Sequence, residues 1–296
     1  MYPLLSYKWN LGSYSFLLLL GYFSAYVLSR LRAKENQIEG RHVDNLALML
    51  IVFGLAGATV FGRLFYGSQN ISLWNVLNVL EGGPRVLYGG IISGTITVIL
   101  YSFVMRVPLG RLGDLIAPSL ALGIMFGRIG CFLAGCCWGD VCLDPKHLSL
   151  ISNPAQAYQV QTIPFMSTSA FPFSVTFPKN SYAYVQHLEL GLLKQTATHS
   201  IPVHPVQIYE AVFCLALCIF LIFRSKKKKA SKTLFLDFCI GYAFIRFLME
   251  FLRAGNSHVY WGITVSQVIS LIVIGVCILL YYARIKIKQQ EKKLNG

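Results

Sequence analysis

The chain has 296 residues, of which 55% are apolar and 13% charged. This composition excludes a disordered chain and indicates an integral membrane protein. A net charge of +14 is compatible with nucleic-acid binding, but the basic residues are confined to a few loops, which instead indicates membrane topology. We therefore predict the lipid bilayer as a partner and no nucleic acid.

Seven apolar segments predict about seven transmembrane helices, because roughly 20 apolar residues cross a bilayer. Four segments are uncharged: 11–29, 45–62, 86–105 and 259–283. Three are interrupted by single charges: 115–139, 206–223 and 233–252. The predicted fold class is an all-α integral membrane protein.

Basic residues follow the first, third, fifth and seventh segments, most densely at 224–232 and 284–293. By the positive-inside rule, these loops are cytoplasmic, the N-terminus is periplasmic and the C-terminus is cytoplasmic. The long segment 140–204 then lies outside, and it has no spanning run. We expect one polytopic domain, 1–296, with 140–204 forming a small periplasmic head or lid between the fourth and fifth transmembrane helices.

Arg128 stands well inside the fourth segment, with Gly127 and Gly130 beside it. A charge at the centre of a membrane helix costs about 2.5 to 3.5 kcal/mol on insertion scales, so it normally has a function or a partner. Two interpretations are open. Arg128 binds an anionic ligand, or it pairs with a carboxylate such as Glu210 or Glu250.

A second cationic element lies in the sixth segment. Tyr242, Arg246, Glu250 and Arg253 follow one another in steps of four, four and three, which places them on one helix face. An ion pair between Arg246 and Glu250 is expected from this spacing. Two arginines from different helices with a tyrosine hydroxyl are the donors expected around a phosphate.

The fifth segment begins with "HPVQIYE", His204 to Glu210. Pro205 suits the first turn of a helix, and His204 stands at its start. Gln207 and Glu210 share a helix face. A histidine in this position is ordinarily a cap or a solvated residue, so His204 gains interest only from the other motifs.

Together these motifs resemble the prolipoprotein diacylglyceryl transferase family of bacterial inner membranes. "FGRIGCFLAGCCWG" is similar to that family's glycine-arginine signature, "HPVQIYE" to its His-Pro-x-Gln-Leu-Tyr-Glu, and "GYAFIRFLMEFLR" to its segment ending in Glu-Phe-x-Arg. "LYGGIISG" occupies the place of its His-Gly-Gly stretch, and "GRLFY" resembles its second-helix arginine stretch. The resemblance implies a seven-helix bundle with a periplasmic head.

The resemblance also implies a reaction: transfer of the diacylglyceryl group of phosphatidylglycerol to the cysteine thiol of a prolipoprotein signal peptide, at the bacterial inner membrane, without a metal or nucleotide cofactor. The phospholipid-binding residues it implies are Tyr14, Arg63, Arg128, Gly139, Arg246 and Arg253. The catalytic candidates are Tyr88, His204, Glu210 and Tyr242.

The sequence departs from the family pattern at the chemistry. Cys131, Ala134 and Cys136 stand where the family signature has Asn, Asn and Glu, and Tyr88 stands where it has His. A tyrosine with an ordinary pKa near 10 is a poor base, so the identity of the base is open. Two alternative functions follow: a membrane thiol-disulfide oxidoreductase, or a divergent paralogue with another acceptor or no catalysis.

The cysteines have several interpretations. Cys131, Cys136, Cys137 and Cys142 cluster near the predicted outer face, where disulfides are permitted. Small apolar packing or one disulfide is the expected state. A more specific hypothesis is that Cys131 or Cys136 acts as a reactive thiolate beside Arg128. A zinc site is disfavoured, because the sequence lacks the second, separated pair of ligands that zinc sites have.

Overall fold

The computed structural model describes residues 4–6, 11–66, 86–142, 173–227, 233–253, 258–260 and 263–294. Within them the chain is predominantly helical. The helices are α1 Ser13–Arg32, α2 Gly40–Tyr66, α3 Leu87–Val104, α4 Leu109–Ala134, α5 Tyr182–Glu189, α6 Val206–Lys227, α7 Leu234–Glu250 and α8 Val265–Leu294. Two short antiparallel strand pairs accompany them: β1 Leu4–Ser6 with β2 Leu11–Gly12, and β3 His258–Tyr260 with β4 Ile263–Thr264.

Six helices in the described part of the chain are long and apolar enough to cross a membrane, namely α1, α2, α3, α4, α6 and α8. The predicted all-helical, multi-pass membrane protein is therefore confirmed. The sixth predicted segment, 233–252, corresponds to α7, which has 17 residues. At about 1.5 Å per residue, α7 is about 25 Å long, slightly short of a hydrocarbon core of about 30 Å. A seventh span consequently stays a prediction.

The described residues belong to two compact units. The first consists of Met1–Ala25, Leu120–Lys227 and Leu236–Gly296, and the second of Tyr26–Ser119 and Lys228–Phe235. The expected single domain with an inserted head stays a prediction beside this division.

The second unit illustrates how a polar group is satisfied inside an apolar helix. Pro118 lies within α4 and lacks an N–H, so the carbonyl of Asp114, four residues earlier, loses its helical donor. The buried Arg32 guanidinium donates to the carbonyls of Asp114 and Leu115, at 3.4 and 2.8 Å. The Asp114 carboxylate accepts the Phe235 N–H at 3.0 Å, which caps the start of α7.

The first unit contains the described part of the predicted head, residues 140–142 and 173–204; residues 143–172 lie outside the described residues. Its core is apolar and fully buried, and includes Phe177, Tyr184, Ile201 and Val203. The Tyr184 hydroxyl donates to the Ala197 carbonyl at 3.0 Å, so its buried oxygen has a partner.

Main-chain hydrogen bonds join the head to three helix ends within this unit. The Gly139 N–H donates to the His204 carbonyl at 2.8 Å, and the His204 N–H donates to the Asp140 carbonyl at 3.0 Å. The Asp140 N–H donates to the Leu252 carbonyl at 2.8 Å. The chain following α4, the chain preceding α6 and the chain following α7 therefore meet beside one another.

Candidate active site

Arg128 in α4 contacts Glu210 in α6. Its Nε lies 3.0 Å from Glu210 Oε1, and the Glu210 side chain is 1% exposed, against 18% for Arg128. A buried carboxylate is stable only when it is paired and hydrogen-bonded. The structural pairing that the sequence left open for Arg128 is therefore present, and ligand binding by this arginine stays a prediction.

Arg246 in α7 connects two carboxylates. Its Nη1 lies 3.5 Å from Glu210 Oε2, and its Nη2 donates to Glu250 Oε2 at 3.1 Å. The ion pair expected from the four-residue spacing of Arg246 and Glu250 is thus present. The Thr264 hydroxyl donates to Glu250 Oε1 at 3.1 Å, so this carboxylate also has a partner at the start of α8.

Tyr242 completes the coordination of Glu210. Its hydroxyl donates to Glu210 Oε1 at 3.2 Å, and its ring stacks on Phe238 with centroids 6.0 Å apart. Glu210 therefore interacts with two guanidiniums and a phenol. These contacts hold Arg128 and Arg246 in fixed positions, so the geometry gives Glu210 the role of orienting the two arginines.

His204 is the remaining catalytic candidate of the first unit. Its side chain is 2% exposed, and burial lowers its pKa below the ordinary value, although the nearby Asp140 carboxylate opposes this shift. The imidazole is accordingly neutral at physiological pH. A neutral imidazole has one nitrogen able to accept a proton, as a general base requires.

Gly139 and Arg253 form a backbone bridge between the chain after α4 and the chain after α7. A Cβ at position 139 would lie 2.4 Å from Val206 Cγ2 and 2.5 Å from the Leu252 carbonyl oxygen, so only glycine fits there. The predicted phospholipid role of Gly139 is untested, and its visible role is to permit this close approach. The Arg253 side chain has no ion pair to another residue in the described ranges, unlike Arg128 and Arg246.

The thiols of Cys131, Cys136 and Cys137 converge after the end of α4. Their Sγ atoms all lie within 4.8 Å of one another, and no disulfide joins any of the cysteines in the described residues. We call these three residues the cysteine trio. Hydrogen bonds from Cys131 and Cys136 lower the pKa of the Cys137 thiol against the effect of burial, with a further contribution from the charges of Arg253 and Arg128.

Cys142, which the sequence grouped with these residues, is separate from the trio. Its N–H donates to the Pro202 carbonyl at 2.7 Å, and its side chain is buried. Burial, with the Asp140 carboxylate, raises the pKa of this thiol to about 12. Cys142 therefore remains a protonated packing residue.

Tyr14 in α1 lies beside the same helix end. A Cβ on Gly130 would be 3.1 Å from Tyr14 Cδ2, so the tyrosine ring packs against a glycine of the signature. Tyr14 thus packs against the helix that carries Arg128, and its predicted contact with phospholipid stays a prediction.

Two predicted residues, Arg63 and Tyr88, belong to the second unit. Arg63 lies in the last turn of α2 and is half-buried. Tyr88 lies in the first turn of α3, and 70% of its surface is exposed. Their roles in phospholipid binding and catalysis stay predictions.

Two supporting residues were not singled out from the sequence. Gln207 Nε2 donates to the Cys136 carbonyl at 2.7 Å, and Thr264 supports Glu250 as described above. The only sequence signal for Gln207 was its position on the same helix face as Glu210. No spacing rule linked Thr264 to Glu250, because the two residues lie in different elements and come together only in the folded chain.

The fold and site define a class: a multi-pass helical membrane protein with a buried arginine-glutamate cluster formed by α4, α6 and α7. A family model described as prolipoprotein diacylglyceryl transferase matches residues 4–283. The chain belongs to this family, as its motifs predicted.

Curated relatives agree over nearly the whole chain. A phosphatidylglycerol–prolipoprotein diacylglyceryl transferase from Clostridium tetani is 31% identical over 285 residues, covering 93% of this chain and 96% of the relative. One from Clostridium perfringens is 28% identical over 279 residues, covering 91% and 89%. One from Oceanobacillus iheyensis is 26% identical over 270 residues, covering 89% and 82%.

Proposed function

We propose that the protein transfers a diacylglyceryl group from phosphatidylglycerol to the cysteine thiol of a prolipoprotein signal peptide. One observation supports this proposal above all: Arg128, Arg246 and Arg253 form an arginine cluster near the helix ends that adjoin the predicted head. Family membership and the names of the relatives support the same activity.

The charge balance of the cluster suits a phosphodiester. Arg128 and Arg246 are balanced by Glu210 and Glu250, whereas Arg253 has no carboxylate partner among the described side chains. Arg253 thus adds a third guanidinium that neither glutamate pairs, and a phosphodiester carries one negative charge. Planar guanidiniums recognise phosphate oxygens through paired hydrogen bonds.

The reaction breaks one C–O bond and forms one C–S bond. The peptide thiolate attacks the glycerol carbon that carries the phosphate, and glycerol phosphate leaves with the bonding electron pair. The negative charge that develops on the leaving phosphate is stabilised by Arg128 and Arg246, whose positions are fixed beforehand by Glu210 and Glu250. Such preorganised charge is most effective where water is excluded.

The thiol must lose its proton before or during the attack. A free cysteine has a pKa near ~8.5, so little thiolate exists at neutral pH. We assign proton removal to His204, since burial keeps its imidazole neutral. Glu210 and Tyr242 then act as positioning residues for the arginines.

We further propose that the site lies toward the periplasmic side of a bacterial inner membrane. Basic residues concentrate in the segments predicted to be cytoplasmic, so the N-terminus and head lie outside and the C-terminus inside. A secreted prolipoprotein presents its cysteine near that face.

The test uses the purified full chain in vesicles of phosphatidylglycerol labelled in its acyl chains, with a peptide carrying a lipoprotein cleavage-site cysteine. We expect the peptide to gain a thioether-linked diacylglyceryl group by mass spectrometry, with release of glycerol phosphate. A peptide with serine in place of cysteine is the negative control. Arg128→Gln should abolish transfer, whereas Arg224→Gln, which removes the separate Arg224–Asp237 ion pair, should retain it.

The alternatives give other outcomes. Folded wild-type protein that forms no thioether but oxidises dithiols with a quinone would be an oxidoreductase. Folded protein that binds phosphatidylglycerol without either reaction would be a non-catalytic paralogue. Either result overturns the proposed transfer.

A further inference from the structure

The proposed transfer does not use the cysteine trio, yet the trio is a convergent group of ligand atoms. Cys131, Cys136 and Cys137 each supply one sulfur, and the three Sγ atoms lie within 4.8 Å of one another. Cys137 is exposed and the other two are half-buried, so the sulfurs are accessible to a small ion. Within the described residues, no imidazole or carboxylate belongs to this group.

A turn at the end of α4 produces the convergence. Gly135 and Cys137 both adopt left-handed backbone, with φ of 73° and 60°. Glycine tolerates this conformation, whereas a residue with a side chain pays roughly 1 to 3 kcal/mol for a sparsely populated backbone region. The left-handed cysteine indicates that its side-chain direction is held by its surroundings.

Several contacts hold the turn. The Cys136 N–H donates to the Cys131 carbonyl at 3.1 Å, and Gln207 Nε2 donates to the Cys136 carbonyl at 2.7 Å. A Cβ on Gly135 would lie 3.1 Å from Phe177 Cδ1, so the head packs closely on the turn. The backbone that carries the three cysteines is thus fixed from both α6 and the head, which favours a binding site over adaptable packing.

We propose that the cysteine trio binds one soft monovalent cation of the copper(I) class through three thiolate sulfurs. Thiolates select copper(I) and zinc among biological metals. A trigonal arrangement with metal–sulfur bonds of about 2.3 Å separates the sulfurs by about 4 Å. The trio, with separations up to 4.8 Å, needs only a small contraction to reach this geometry.

Coordination number favours copper(I) over zinc. Structural zinc sites have four protein ligands and catalytic zinc sites have three with water in the fourth position, whereas three thiolate sulfurs alone complete the coordination of copper(I). Binding forms three metal–sulfur bonds and releases the thiol protons to solvent, without oxidation or reduction.

The test measures metal binding directly, in the detergent-purified full chain under anaerobic, reducing conditions. Copper(I) is titrated in competition with a chromophoric copper(I) chelator, and the complex is examined by X-ray absorption. We expect one equivalent to bind, with three sulfur neighbours at about 2.3 Å. Cys137→Ser should lose this equivalent. Cys277→Ser, which alters a buried cysteine outside the trio, should keep it.

Cys131→Ser provides a second variant in case Cys137→Ser does not fold, and near-native melting temperatures identify the folded variants. Absence of stoichiometric binding to the folded wild type overturns the proposal. Loss in Cys277→Ser with retention in both trio variants also overturns it. Tighter binding of zinc than of copper(I) in a parallel titration refutes the metal assignment, and a disulfide found within the trio by alkylation and mass spectrometry of anaerobically purified protein refutes the site.

Discussion

The substitution Glu210→Gln is the most direct test of the arginine cluster, since this carboxylate contacts Arg128, Arg246 and Tyr242. The amide preserves the shape of the side chain but removes its negative charge. Arg128 then loses its ion-pair partner in the described structure, while Arg246 keeps Glu250.

The contacts indicate the magnitude. Removing one partner of a buried ion pair costs about 3 to 5 kcal/mol. The lower limit applies here, because the Arg128 and Arg246 side chains remain 18% and 15% exposed and water partly solvates them. A loss of about 3 kcal/mol corresponds to a melting temperature lower by roughly 6 to 12 °C. Loss of preorganised charge should also reduce transfer by about 100-fold or more.

Melting in detergent, with and without added phospholipid, measures both consequences. If the arginines bind a phosphodiester, phosphatidylglycerol should raise the melting temperature of Glu210→Gln more than that of the wild type, because the phosphate replaces the missing negative charge. Asp237→Asn is the matched control: it removes a carboxylate paired with Arg224 elsewhere in the unit, at 3.0 Å from Arg224 Nη2. Its destabilisation should not be corrected selectively by phosphatidylglycerol.

Two results would refute this reasoning. An unchanged melting temperature in Glu210→Gln would mean that the carboxylate does not balance the arginines. Phosphatidylglycerol could also raise the melting temperatures of Glu210→Gln, Asp237→Asn and the wild type equally. That result would mean that the lipid stabilises the helices non-specifically and does not bind the arginine cluster.

Three further predictions follow from single contacts. Arg253→Gln should raise the phosphatidylglycerol concentration needed for half-maximal transfer, with a melting temperature within a few degrees of wild type; a large loss of stability with unchanged lipid dependence would contradict this. Gly139→Ala should lower stability by about 1 to 3 kcal/mol, because the added Cβ overpacks against Val206 and Leu252. Gly123→Ala is the control and should be tolerated, since no atom lies within 4 Å of its added Cβ. Equal melting temperatures of the two variants would disprove the close approach at Gly139. Burial lowers the pKa of His187 to about 4. Between pH 6.5 and 4 the unfolded chain therefore takes up a proton at His187 that the folded head does not. The head should lose about 3 kcal/mol of stability as the pH falls through this range. Proteolysis of the head against pH should show this loss in wild type and a smaller one in His187→Leu; the same pH profile in both would assign the loss to other groups.

Most of the fold was predictable because the bilayer requires long apolar runs, and the helices α1, α2, α3, α4, α6 and α8 meet that requirement. The end of the fourth span was less predictable. The apolar run continues to 139, but α4 ends at Ala134 because Gly135 turns the chain into left-handed backbone. Hydropathy does not register such a turn.

The site was predictable where one helix supplied both partners. The four-residue step from Arg246 to Glu250 placed them together without knowledge of the fold. The contact between Arg128 and Glu210 depends on which helices are neighbours, so the sequence could name only alternative partners. The sequence also could not show which cysteines form the trio, because this depends on the same left-handed turn. The turn brings Cys137 toward Cys131 and leaves Cys142 in the head.

Backbone hydrogen bonds join the segment after α4 to the segments that precede α6 and follow α7. These bonds determine which side chains at this junction can change without loss of the fold. They connect the N–H groups of Gly139, Asp140 and His204 to carbonyls, so exchanges of neighbouring side chains leave them intact, and only the glycine position is sterically constrained. Cysteines could therefore replace the asparagine and glutamate of the family signature without disconnecting the segments that carry Arg128 and Arg246. We therefore expect the chain path at this junction, and with it the placing of the ion-paired Arg128 and Arg246, to depend on the backbone and not on which side chains stand at positions 131 and 136.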